Sequence, residues 1–390
     1  MFRRILLLLA IGQFVAIKSE NSQNSTSIEK TIATETLKNM IGQVRAYWEV
    51  TPSDQNIQFG PISWEIVLQM LQIKLYHESL LASLAPKDKY LEKPYALAGV
   101  LDKLQQTSNA QLKFMNAIFY DQRNTSKHLL DDLKSYYHAE ALEVSFDSDN
   151  NAAILASLNE WMNRSTKGRA PNTENLNTKG LTNLQSSVLS YTSCWDTSKT
   201  STNFIKLLKF KTPSGEIDVE TFNVKEKIGY YNNRGKKYEA IRLPYKKGEF
   251  ALIILLPNQN QSLESISKLT VNDYQELLQR VSENHENIEY SIPFMNLTTT
   301  AVHENGTSIN EDDTIICEWS STQKARVNNE TGYKSFHVNR PFAMFLYHEK
   351  TKIILMYTFV KDPTLGILKS REFKIKVTAT NEKTELQLNR

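Results

Sequence analysis

The chain has 390 residues, 46 Lys and Arg against 43 Asp and Glu, a formal net charge of +3, and 40% hydrophobic residues. That charge is too mild to argue for a nucleic-acid or membrane-surface partner, and the apolar content is that of a folded globular protein rather than a disordered one. The length admits one large domain or two smaller ones.

The chain opens on Arg3-Arg4, an apolar run from Ile5 to Ile11, and a small residue, Ser19. Basic start, short apolar core and small exit form the pattern of a secretory signal, assigned to residues 1–19. The run is too short to span a bilayer, and no later apolar segment approaches that length. The mature protein is therefore expected to be secreted, extracellular and soluble. Seven Asn-x-Ser/Thr triplets, at Asn24, Asn124, Asn163, Asn260, Asn296, Asn305 and Asn329, fit export as glycosylation candidates. Asn296 and Asn305 fall in strand-like stretches, which argues against the use of both.

Glu20–Ser27 is polar and reads as a loose mature N-terminus. Ile32, Leu37, Met40, Ile41 and Val44 recur at helical spacing, predicting a helix over Ile28–Trp48. Asn56–Ser63 reads as a short strand ending at Pro61, followed by an apolar helix from Trp64 to about Leu75. Leu158–Gly168 is the end of an amphipathic helix, stopped by a glycine that tolerates the left-handed conformation. Val188–Trp195 reads as a strand, and Tyr238–Pro257 as a strand, a Lys-Lys-Gly turn and a buried strand. Phe342–Tyr347 and Ile353–Val360 are apolar on both faces, so both are strands buried on two sides, joined by the charged turn His348–Lys352. Phe373, Ile375 and Val377 alternate with lysines in the tail, a pattern for an added edge strand.

No catalytic constellation stands out. The seven histidines are scattered without HExxH spacing, and there is no G-x-S-x-G elbow, P-loop or glycine fingerprint. No metal or cofactor is expected, and the chain does not read as an enzyme. Arg234-Gly235-Lys236-Lys237 is a small basic cluster that reads first as a solvated turn, with a glycosaminoglycan site as a lesser option.

Several stretches together resemble the serpins, the serine protease inhibitor family. Phe336–Pro363, with Arg340-Pro341-Phe342, an apolar strand, a turn, a second apolar strand and a closing proline, resembles the family's C-terminal signature. Asn56–Ser63 is similar to its Asn-x-x-Phe-Ser-Pro-x-Ser segment, with Gly60 in place of the first Ser. Asn159, Trp161, Thr166 and Gly168 match its Ile-Asn-x-Trp and Thr-x-Gly phrases, and Leu243-Pro244-Tyr245 and Ile254–Pro257 its Leu-Pro-Tyr and Ile-Leu-Pro phrases. The match is poorer at Val188–Trp195, where Ser187 replaces an expected Asn and Cys194 precedes the Trp. The resemblance runs from about residue 28 to 363. It implies an α+β fold: a serpin-like single domain over 20–363, mixed β-sheets with helices packed around them, and a C-terminal tail over 364–390.

The resemblance implies a monomer that offers a reactive loop to an extracellular serine protease. Once cut, the loop enters a β-sheet through a hinge of small residues and carries the acyl-enzyme with it. Ala301–Asp313 resembles the strand leading into that hinge, with Asp313 where the family has glycine. His303 would then join Ser63 and Ser187 in a polar cluster under the sheet opening. The hinge would be Thr314, Ile315, Ile316, Cys317, Glu318 and Trp319, which are not small. Two-residue alternation puts Glu318 on one face with Thr314, Ile316 and Ser320, and burying that carboxylate unpaired costs several kcal/mol.

Pro293 to Pro341 is also much shorter than the family carries between these landmarks. In a first reading, the family's intervening helix is lost and Asn296–Thr300 forms a direct hairpin. In a second, Val302–Ile309 is that helix and its exit, Lys324–Gly332 is the pre-hinge strand, and the loop has almost vanished. Under the first reading the bait bond lies near Arg326-Val327, with Lys324 nearby, which suits a trypsin-like pocket. An ordinary polar loop with chance basic residues remains the alternative. Cys194 and Cys317 can form a disulfide near the top of one sheet under the first reading and lie far apart under the second. Two functions follow: a protease inhibitor by descent, or a non-inhibitory serpin-fold protein acting as carrier, decoy or secreted signal. Secretion, sequons and a degraded hinge together resemble insect male accessory-gland (seminal fluid) serpin-like proteins.

Overall fold

Strands apolar at every position need cover on both faces, and the architecture supplies it. The computed structural model describes residues 23–78, 86–107, 112–146, 151–168, 172–174, 176, 181–196, 201–246, 249–297, 300–303, 306–309, 332–365, 374–380 and 383–389. The N-terminal half runs α1 (Gln23–Val50), β1 (Ile57–Phe59), α2 (Pro61–Glu78), α3 (Lys87–Tyr90), α4 (Glu92–Thr107), β2 (Leu112–Tyr120), α5 (Lys127–Tyr137), β3 (Glu140–Glu143), α6 (Asn151–Ser165) and β4 (Asn183–Cys194). Then come β5 (Ser201–Thr212), β6 (Gly215–Asn233), β7 (Tyr238–Pro244), β8 (Phe250–Pro257), α7 (Glu264–Ser267), α8 (Val271–Glu283) and β9 (His285–Pro293). The last elements are β10 (Met295–Leu297), β11 (Thr300–His303), β12 (Gly306–Ile309), β13 (Lys334–His337), β14 (Phe342–His348), β15 (Ile354–Val360), β16 (Lys374–Thr380) and β17 (Lys383–Asn389).

A large sheet is ordered β1-β15-β14-β8-β7-β6-β9-β13, with β5 also on β6, and a second is ordered β10-β11-β12-β4-β2-β3. β14 sits between β15 and β8, and its side chains alternate between two cores. Phe342, Met344 and Leu346 enter the core shared with α2, α4 and the second sheet. Ala343, Phe345 and Tyr347 enter the core under α1 and α8. Each large side chain so buried contributes about 1.5–3 kcal/mol, which is why the closing hairpin reads so plainly in sequence.

Local chemistry sets the element ends. Gly168 takes φ +84° past the end of α6, and its N–H donates to the Asn163 carbonyl at 2.9 Å. Thr270 and Asp273 form a reciprocal capping box at the start of α8. Arg340 donates from Nε to the Pro257 carbonyl at 2.8 Å, tying the approach to β14 to the end of β8.

Three sequence expectations change. Gln23–Ser27, read as part of a loose N-terminus, forms the start of α1. Ala301–Asp313 is not one strand: β11 ends at His303 and β12 returns from Gly306, with His303 opposite Gly306. Only Glu304 and Asn305 separate the two strands in the sequence. The direct hairpin of the first reading is present as β10 on β11, Leu297 opposite Thr300, and the helix of the second reading is absent because Thr300–His303 and Gly306–Ile309 are strands. The tail does not extend a sheet edge: β16 pairs with β17 from Lys374 opposite Asn389 to Thr380 opposite Lys383.

Candidate functional site: the edge of β4

β4 is twelve residues long, and its two edges are used unequally. One edge pairs with β2 from Asn183 opposite Tyr120 to Tyr191 opposite Leu112. The other pairs with β12 only over Tyr191–Cys194. Among the described residues, no strand is paired with Asn183–Val188 on that side. Polar atoms collect along this stretch. Asn183 Nδ2, Gln185 Oε1, Ser187 Oγ and Ser190 Oγ are buried without a hydrogen-bond partner among the described residues, as is Asn116 Oδ1 on the facing position of β2. Buried polar atoms are normally satisfied, which sets this stretch apart.

The far end of β4 is held firmly. Trp195 bridges to Tyr245 and stacks on it, ring centroids 4.7 Å apart. The Lys246 N–H donates to the Cys194 carbonyl and the Asp196 N–H to the Pro244 carbonyl, both at 2.9 Å. Tyr191 packs edge-on to Tyr245 at 5.2 Å, and burial pushes its phenol pKa well up. Cys194, opposite Gly306 of β12, is held in a disulfide.

The chain returns to the large sheet at β13, which runs parallel to β9 with Phe336 opposite Tyr290. Ser291 on β9 donates to Asn223 Oδ1 and contacts His337 Nδ1 at 2.8 Å, so the return point carries a buried polar link.

The sequence-derived residues fall as follows. Ser63 lies in the first turn of α2, half-buried against Gly60, where an added Cβ would come within 3.2 Å of its Oγ. Ser187 lies mid-β4, facing Asn116 of β2. His303 is level with Cys194 through Gly306, seven residues along β4 from Ser187. At ~3.3 Å per residue that is about 23 Å, so this register does not bring the two together. Thr314, Ile315, Ile316, Cys317, Glu318, Trp319, Lys324, Arg326 and Val327 lie outside the described residues. Asn124, Asn163 and Asn260 are exposed, Asn24 lies in α1 and Asn296 in β10, and Asn305 and Asn329 lie outside the described residues. Among the described residues, no group of three His, Cys, Asp or Glu could hold a metal ion, and no helix is long and apolar enough to cross a membrane.

Sequence reasoning singled out Ser187 but missed the other buried polar atoms along this stretch of β4. Asn183, the run Gln185-Ser186-Ser187 and Ser190 were the available signal.

A family model described as Serpin (serine protease inhibitor) matches residues 43–305. Human Serpin I2 is 23% identical over 384 residues, covering 86% of this chain and 93% of its own. Iripin-1 of Ixodes ricinus is 22% identical over 352 residues, covering 78% and 88%. Among solved structures, human thyroxine-binding globulin aligns with TM-score 0.61 at 17% identity, and Manduca sexta serine protease inhibitor (serpin)-12 with TM-score 0.62 at 14%. Each covers 87% of this chain and 99% of its own. The helices and mixed sheets described above are the α+β serpin fold.

Proposed function

The chain belongs to the serpin family, and from that premise we propose that it is a secreted serine protease inhibitor presenting the connection between β12 and β13 to a trypsin-like enzyme. The stretch Asn183–Val188 of β4, which has no paired strand on one side among the described residues, is the observation that carries the reading. β12 ends with Ile309 opposite Tyr191. Continued in that register, Asn310 would face Ser190 and Cys317 would face Asn183, filling the unpaired stretch. A cleaved connection would then add there as a strand and supply backbone partners to a polar, open edge. Glu318 and Trp319 would fall past the end of β4, which lightens the objection that their size and charge raise.

The connection runs from residue 310 to 333 between its two anchors. Loops of that length in compact domains are usually functional. Lys324 and Arg326 lie within it, and a basic residue before Val327 suits an acidic specificity pocket. The N-terminal pattern and the exposed sequons at Asn124, Asn163 and Asn260 support export.

A second reading, a non-inhibitory serpin-fold protein, also rests on a specific feature. The same register would set Glu311, Asp312 and Asp313 against Leu189, Val188 and Ser187, where each unpaired buried carboxylate costs several kcal/mol. Incubation with a panel of trypsin-like proteases separates the two. An SDS-resistant complex of combined mass supports trapping, and cleavage at Arg326–Val327 with no complex refutes it.

For the disulfide we propose Cys194–Cys317. A disulfide holds Cα atoms within about 7 Å. Strand addition would put Cys317 opposite Asn183, eleven residues from Cys194 and about 36 Å away. The pairing and full strand addition therefore exclude each other, so the bond would hold the connection at the top of the sheet. Non-reducing peptide mapping that finds two free thiols removes this restraint.

A further inference from the structure

Where α8 meets the ends of β6 and β9, the surface forms an open pocket of about 600 Å³ that the inhibitor reading does not use. Tyr230, Tyr231, Arg234, Arg280, Glu286 and Lys334 line it, with the Asn284 amide beside them. Its carboxylates are occupied. Glu276 accepts a hydrogen bond from the Tyr231 hydroxyl at 2.8 Å, and Glu286 is ion-paired with Lys334, whose Nζ also sits 5.2 Å from the Tyr230 ring centroid. Burial and the Glu276 contact push the Tyr231 phenol up to about 12, so it stays protonated and keeps donating.

The cations are different. Arg234 and Arg280, reached from two separate elements, have neither hydrogen bond nor salt bridge to a side chain among the described residues. The basic turn is thus divided: Lys236 faces Asp273 at 3.4 Å, while Arg234 lines the cavity. Gly229 brings the walls together, because its missing side chain leaves room for the Val281 carbonyl of α8. Two arginines from separate elements lining one open pocket, with the nearby acids already engaged, make a receptor for a tetrahedral oxyanion. We propose that this cavity binds a small ligand carrying a phosphate or sulfate ester, independently of protease inhibition.

Isothermal titration of the full chain with phenyl phosphate and phenyl sulfate tests this, with phenol as the uncharged control. The expected result is saturable one-to-one binding of at least one ester, weaker as salt rises from about 0.05 to 0.5 M, and none of phenol. The preferred ester names the source. Arg234→Ala with Arg280→Ala should weaken binding about tenfold or more, while Lys237→Ala, outside the cavity, should change it less than about twofold. Both arginines are exposed, so the double variant should melt with the parent; if it does not fold, Arg280→Lys, which keeps charge but loses the fork, provides the same comparison. No saturable binding of either ester overturns the proposal, as does equal affinity in the arginine variants. Neither result bears on protease trapping, which is assayed separately.

Discussion

Asn56→Ala should be among the most damaging single substitutions outside the apolar core. Asn56 is 1% exposed and precedes β1. Its Nδ2 donates to the carbonyls of Asp362 at 2.7 Å and Leu365 at 2.8 Å. Its Oδ1 accepts from the N–H groups of Lys361 at 2.7 Å and Asp362 at 3.0 Å. One amide thus fastens the end of β15 to the start of β1. Four bonds at about 1 kcal/mol net each, with the buried Lys361 N–H left unpaired, predict a loss of about 3–5 kcal/mol. That is a large part of a total stability of roughly 5–15 kcal/mol. Asn56→Asp is the sharper variant. It keeps the shape and both accepted bonds, loses both donated ones, and turns a carboxylate toward two carbonyl oxygens. It should cost about 2–4 kcal/mol at neutral pH and recover in part in acid, where the introduced carboxyl is protonated and can donate. Guanidinium unfolding followed by tryptophan fluorescence measures both. A loss under about 1 kcal/mol for Asn56→Ala, or wild-type stability for Asn56→Asp at neutral pH, would refute this account of the clamp.

Gly229→Ala should destabilise by about 2–4 kcal/mol and shift α8, because a Cβ there would overlap the Val281 carbonyl oxygen and press on Arg242; chemical denaturation and amide exchange in α8 check it. His348 is 3% exposed, and burial lowers its pKa below 6.5 despite Glu249 nearby, so the folded state prefers the neutral ring. Its contribution is full above 6.5 and is lost as pH falls through the lower folded value; His348→Gln should flatten that part of the stability–pH curve, and an unchanged curve contradicts the assignment. Cys194→Ser should cost about 5 kcal/mol by opening a loop of roughly 120 residues, and should increase any SDS-resistant protease complex. An unchanged melting midpoint with unchanged complex yield would dismiss the restraint.

What the sequence disclosed depended on how local the cause was. β14 and β15 were legible because each side chain meets one of two cores, leaving no polar alternation to confuse the pattern. The end of α6 was legible because Gly168 adopts a left-handed φ of +84°. Asn56 stood out as part of a motif, but its partners lie some 305 residues away and no periodicity links them. The reversal at His303–Gly306 was missed because Ala301–Asp313 was matched as one stretch to a family strand, and Gly306 inside it was not weighed as a break. In the tail, Phe373, Ile375 and Val377 signal a strand without naming its neighbour, and the neighbour is the chain's own last segment. The ester cavity draws on α8, β6, β9 and β13, so no window of sequence contains it.

The shortened stretch after β9 explains why the edge of β4 is left open. Fifteen residues run from Met295 to Ile309. Laid out once, at ~3.3 Å each, they would extend about 50 Å, enough to cover all twelve residues of β4. Folded into β10, β11 and β12 they instead make three passes of three or four residues, and only Tyr191–Cys194 is covered. The three short strands extend the sheet at one end and leave Asn183–Val188 of β4 without a paired strand among the described residues at the other. In the proposed strand addition those positions are filled by chain beyond Ile309, where Asn310 is followed by Glu311, Asp312 and Asp313. Their carboxylates resist burial at neutral pH and resist it less when protonated. Strand addition should therefore be favoured by lower pH as well as by opening the Cys194 disulfide. Complex formation with a protease active near pH 5, compared with pH 8 in Cys194→Ser, reads that coupling, and equal yields at both pH values would show that the acidic residues stay outside the sheet.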